Sequence, residues 1–62
     1  MKLTIKDLRE MARMGYTVKA MYRSCRGIPF HKFFRDRAEF EGFTEKAEQA
    51  GSRLVGCAER RV

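Results

Sequence analysis

Cys25, His31 and Cys57 are the only thiol and imidazole side chains in the sequence. A thiol–imidazole pair with no identifiable third group to orient the base makes a poor nucleophilic triad. Three such ligands leave a zinc site one short, and neither Cys-x-x-Cys nor His-x-x-x-His spacing occurs. The five glycines stand apart from one another, so they punctuate the chain and do not form a phosphate-cradling loop. Glu41, Glu45 and Glu48 recur at spacings of four and three, which reads as a solvated helix face and not as an acid/base pair. The sequence predicts no catalytic residue, no metal site and no cofactor. The chain does not read as an enzyme.

The cations are more informative. In the stretch Thr17–Arg26, fenced by Gly15 and by Gly27-Ile28-Pro29, helical spacing puts Val18, Met21, Tyr22 and Cys25 on one apolar face. Lys19, Arg23 and Arg26 then share a neighbouring face. An apolar back and a cationic front let a helix dock on a core and present charge to phosphates or guanine edges. Thr17, at the start of such a helix, would donate to a backbone phosphate. Arg9 and Arg13, or Lys32, Arg35 and Arg37, would flank a duplex.

These residues need elements to position them. Thr4 and Asp7 fit a capping box, and Ile5, Leu8, Met11 and Ala12 follow at helical spacing, predicting a helix over Ile5–Met14 with Gly15 as its left-handed cap. At Gly15-Tyr16-Thr17 the chain either turns into a second helix capped by Thr17 or continues as one long helix. Gly27-Ile28-Pro29 is a firm corner, with Pro29 opening the next helix. Phe33, Phe40, Ala47 and Leu54 are seven apart and interleave with Phe43, Ala50 and Cys57, a seam of about three heptads. That seam predicts a homodimer interface built from Phe40, Phe43, Ala47, Ala50 and Leu54. Ser52–Ala58 has a second reading as a short strand beside Leu3-Thr4-Ile5. In the aromatic stretch Phe30–Phe43, Phe33, Phe40 and Phe43 read mainly as core, because a small domain needs its aromatics inside. The other readings leave Phe30 and Phe34, beside Lys32 and Arg35, partly exposed as a hot spot for a protein partner, or stack the aromatics on single-stranded bases. The expected fold is all-α, with three to four helices and a helix-turn-helix-like first half. The alternative is a two-helix hairpin forming a dimeric bundle.

Thr4-Ile5-Lys6-Asp7-Leu8 followed by Gly15-Tyr16-Thr17-Val18-Lys19 resembles the opening of MerR-type regulators, which begin Thr-Ile-x-x-Leu and continue Gly-Val-Ser-Val-Arg. The resemblance covers under a third of the chain, with a spacing to the glycine two residues longer. It implies a helix-turn-helix and not membership of that family.

At 62 residues the chain is one domain near the lower limit for burying a useful core, and its composition is that of a soluble protein. The net charge of +6 is unevenly placed. Residues 1–37 hold ten Lys and Arg against three acidic residues, whereas residues 38–62 hold four against five. No apolar run suggests a signal peptide or a membrane span, so the expected address is cytoplasmic, with reduced cysteines. The leading expectation is a small homodimeric DNA-binding regulator whose basic half meets duplex DNA and whose near-neutral half self-associates. The competing one is a compact phage- or mobile-element-type protein that binds and inhibits a host protein. A weaker third is an RNA-binding helical hairpin dimer.

Overall fold

In the computed structural model, which describes residues 2–60, helix α1 spans Ile5–Met14 with the ends its sequence predicts. The Thr4 side chain accepts from the Asp7 backbone N–H at 3.1 Å, and the Asp7 carboxylate accepts from the Thr4 N–H at 3.2 Å. This reciprocal capping satisfies two amides that the helix start would leave unpaired. Gly15 closes the helix at φ 78°, a left-handed conformation that costs glycine nothing.

Beyond Gly15 the all-α expectation fails. The chain continues as strand β1 (Val18–Arg23), strand β2 (Pro29–Phe34), helix α2 (Arg37–Gln49) and strand β3 (Arg53–Glu59). The fold is α+β, with two helices and one antiparallel sheet ordered β2-β1-β3. Neither the helix-turn-helix nor the helical hairpin is present, because the segment that follows Gly15, Val18–Arg23, is a strand and the next helix comes only after β2. The physical reason is a choice between two periods. Val18, Ala20 and Tyr22 alternate, and all three are buried, so a pleated strand gathers them on one side. Pro29 opens an edge strand instead of a helix, a place where its missing N–H costs no ladder bond.

Ser24–Ile28 joins β1 to β2 in a tight turn. The Gly27 N–H donates to the Ser24 carbonyl at 2.8 Å, and the Ser24 N–H donates to the Ile28 carbonyl at 2.9 Å. Gly27 takes φ 81°, as expected where a turn is followed by a left-handed residue before the second strand. Strands β2 and β3 both run antiparallel to β1, so they are parallel to each other across it, with α2 as the crossover. β3 pairs with β1 and not with the residues before α1, and a bulge at Val55 shifts its register between Met21 and Tyr22.

Helix α2 covers one sheet face. Asp36 caps it, accepting from the Glu39 N–H at 2.8 Å. Val18, Ala20, Tyr22 and Phe34 form the buried cluster, with Phe30, Phe40, Phe43 and Leu54 packed against it. Of the residues spaced by seven, Phe40, Phe43, Ala47 and Leu54 thus pack within the chain, whereas Phe33 stacks on Tyr16 and Ala50 and Cys57 are exposed. That packing uses much of the surface assigned to a seam between copies. Tyr22 stacks on Phe30, meets Phe43 edge-on, and shares a hydrogen bond of 2.7 Å between its hydroxyl and that of Thr44. Burial pushes the phenol above its ordinary pKa, so it stays protonated.

A domain of this size holds roughly 3–9 kcal/mol of stability at 0.05–0.15 kcal/mol per residue. Phe34→Ala, at a fully buried ring, should remove about 3–5 kcal/mol, and Tyr22→Phe about 1 kcal/mol. Urea melts should show the first variant largely unfolded in buffer and the second folded with a lower midpoint.

Candidate nucleic-acid interface

The strand registers sort the side chains of the sheet into rows. On the α2 side the rows are Phe30–Tyr22–Leu54, Lys32–Ala20–Cys57 and Phe34–Val18–Glu59. On the opposite side they are Phe33–Lys19–Ala58, His31–Met21–Gly56 and Pro29–Arg23–Arg53. α1 is attached to this second side. The Lys19 ammonium lies 2.9 Å from the Asp7 carboxylate, with the two side chains only 14% and 16% exposed. Tyr16, just after α1, stacks on Phe33 at 5.7 Å, and Lys19 lies over the same ring at 5.6 Å. Arg60 extends the face by donating from Nε to the Tyr16 carbonyl at 3.2 Å.

The residues predicted to meet DNA therefore part company. Lys19 is committed to Asp7 and is not free for phosphate. Thr17 is also used within the chain, its hydroxyl donating to the Arg35 carbonyl at 2.8 Å and its N–H to the Phe34 carbonyl at 2.9 Å. Lys32 lies on the α2 side, with its ammonium 4.9 Å from the centre of the Phe43 ring. Arg35 is exposed just past β2. Arg37 pairs with Glu59 at 3.0 Å, and that carboxylate holds the guanidinium more firmly protonated. Arg23 and Arg26 remain exposed, at the turn end of the β1–β2 hairpin. Arg9 and Arg13 are exposed on the outer side of α1 beside Lys6, where Ile5, Lys6, Arg9, Glu10 and Arg13 line a shallow open depression. Glu10 is the only acidic residue among these, 3.7 Å from Arg13.

Of the residues assigned to self-association, Phe40, Phe43 and Leu54 pack on the core, Ala47 is buried, and Ala50 is the exposed C-terminal cap of α2. Sequence reasoning misses two cations as site residues. Lys6 is legible as part of the outer helix face with Arg9 and Arg13. Arg53 carries no such signal, because only the strand register places it opposite Arg23.

Charge is partitioned across the sheet. α1 and the second face carry Lys6, Arg9, Arg13, Lys19, Arg23, Arg53 and Arg60 against Asp7 and Glu10 alone. The α2 side carries Glu39, Glu41, Glu45, Glu48 and Glu59 against Lys32, Arg37 and Lys46. Among the described residues no group of acidic, His or Cys side chains could hold a metal ion, and no helix is long and apolar enough to cross a membrane. The chain matches no protein-family model, and neither the curated proteins nor the solved structures include a significant match.

The Asp7–Lys19 pair makes the seating of α1 depend on pH. The hydrogen bond from Lys19, followed by the one from the Thr4 N–H, holds the Asp7 carboxyl below its ordinary range. Its contribution is complete above the unfolded-state value of about 3.9 and is lost as pH falls through the lower folded-state value. Amide chemical shifts of α1 should move together in that acidic window. Asp7→Asn should shift the same resonances at pH 7 and remove most of their pH response.

Proposed function

We propose that this chain is a small DNA-binding domain that uses its α1 side, without a helix-turn-helix, to contact duplex phosphates. The observation that carries the reading is the charge partition across the sheet, which leaves Lys6, Arg9 and Arg13 on one solvent-facing helix side with a single acidic neighbour. Their spacing of three and four residues aligns the three cations on one side of α1. A helix of ten residues is about 15 Å long, enough to lie along a duplex groove or across its phosphate rim. Arg23 and Arg26 add charge from the hairpin end. The glutamates of α2 face away from the polyanion, so the domain would approach it in one orientation.

The unpaired outer edge of β3 favours a second reading. Val55 is 52% exposed at the bulge on that edge, and a protein partner can add a strand to such an edge. In that reading the chain is a compact interaction protein, and Val55→Lys would abolish partner capture from nuclease-treated lysate.

Fluorescence anisotropy with a labelled duplex tests the first reading. Affinity should fall steeply with salt. Lys6→Gln, Arg9→Gln and Arg13→Gln together should flatten the slope by roughly 3, close to 0.9 for each phosphate the variant no longer neutralises. Lys46→Gln, on the acidic side, should leave the slope unchanged. No binding by folded protein at low salt ends the proposal.

A further inference from the structure

Arg23 and Arg53 are direct cross-strand partners, the last pair of the β1–β3 ladder, and both are exposed. Like charges placed opposite each other on adjacent strands destabilise a sheet. No carboxylate lies within salt-bridge distance of either guanidinium among the described residues. Arg23 is also held in place. Arg23 donates from Nη1 to the Gly27 carbonyl at 3.0 Å, which folds its guanidinium over the hairpin turn and leaves its other N–H groups free. The turn before β3 presses against the same hairpin: Gly51, at φ 93°, approaches so closely that a Cβ there would sit 3.2 Å from the Cys25 Cβ. Together these residues line a cavity of about 300 Å³ bounded by Arg23, Ser24, Cys25, Gly27, Gly51 and Arg53.

We propose that this cavity is a phosphate site, in which the Arg23 and Arg53 guanidinium groups clamp one phosphoryl group. Guanidinium offers paired N–H donors that match two phosphate oxygens, and two such groups facing one cavity relieve their mutual repulsion by sharing an anion. The cavity is roomy enough for a phosphate carried on a larger molecule. The clamp deepens the DNA-binding reading by naming where one backbone or terminal phosphate of the nucleic acid is held, and it rests on that reading only for the source of the phosphate. The chemistry is common to a phosphodiester, a 5′-phosphate and inorganic phosphate, so the test includes all three.

Thermal melts in inorganic phosphate and in chloride at matched ionic strength test the site without any nucleic acid. Phosphate well above its dissociation constant should raise the wild-type Tm by about 4 °C or more. Arg53→Gln and Arg23→Gln should each abolish that increment, and Arg53→Gln should melt no lower than wild type in chloride, because it removes the like-charge pair. A lower Tm for Arg53→Gln in chloride with the phosphate increment intact would make Arg53 structural and overturn the clamp. Anisotropy with oligonucleotides bearing or lacking a 5′-phosphate completes the test. A decrease in salt slope of about 1 in Arg53→Gln supports the clamp; on both oligonucleotides it assigns the clamp to a backbone phosphate, and on the phosphorylated one alone to the terminus. Oligonucleotide binding that Arg53→Gln leaves untouched, in a wild type that shows no phosphate increment, overturns the clamp and spares the DNA-binding reading. A phosphate increment without oligonucleotide binding does the reverse, leaving a site for a small phosphorylated ligand.

Discussion

The fold depends on β1 being hydrogen-bonded along both edges while its side chains alternate between two different surroundings. Even-numbered Val18, Ala20 and Tyr22 enter the aromatic core beneath α2. Odd-numbered Lys19 and Arg23 face the other way, one held by Asp7 and the other exposed with a hydrogen bond to the Gly27 carbonyl. A slip of one residue would place Lys19 among the rings and expose Tyr22, so the register is strongly specified. The Tyr22 hydroxyl reinforces that choice, because at 2.7 Å from Thr44 it has its partner only when α2 sits over this face.

How much is legible in the sequence follows from how each segment encodes its period. Ile5–Met14 is readable because a capping box, a helical apolar spacing and a glycine cap agree over ten residues. Val18–Arg23 has six residues, too few to separate alternation from helical spacing, since Val18 and Tyr22 satisfy both. A β-branched residue and an aromatic there, and the run Phe30 to Phe34 beyond the turn, are the compositional signs of strands. The heptad spacing over Phe33–Leu54 spans three separate elements and so marks no single helix. The short-strand reading of Ser52–Ala58 is right in type but wrong in partner. Nothing local in the sequence says that Arg53 lies opposite Arg23 instead of beside Leu3 to Ile5.

The candidate interface is legible in sign more than in place. The basic character of residues 1–37 is present in composition, yet Lys19, central to the helical reading, is neutralised by Asp7. What replaces the linear division is a division across the sheet. Arg53 and Arg60 come from the near-neutral part of the chain and join the basic side. Lys32 and Arg37 come from the basic part and join the acidic side, where Phe43 and Glu59 hold them. Strand alternation sends neighbouring charges to opposite faces, so a count along the chain mixes the two surfaces.

The two ends of the basic side are held by unlike forces. The hairpin end belongs to the sheet and is fixed by ladder hydrogen bonds and by the close approach of Gly51 to Cys25. α1 is held by one ion pair, by the Tyr16–Phe33 stack and by the fully buried Met11, while Ile5 remains 71% exposed and Met14 50%. An element with so little buried apolar surface opens at lower free energy than the strands it lies against. A phosphate held between Arg23 and Arg53 would therefore meet side chains on a firmly paired backbone, whereas one held by Lys6, Arg9 and Arg13 would also have to keep α1 in its seat. Rising salt would weaken any such phosphate contact directly, while the pair beneath α1, at 14% and 16% exposure, is screened less. On the proposed reading, the hairpin end would engage a polyanion first and the helix would add its charge once anchored.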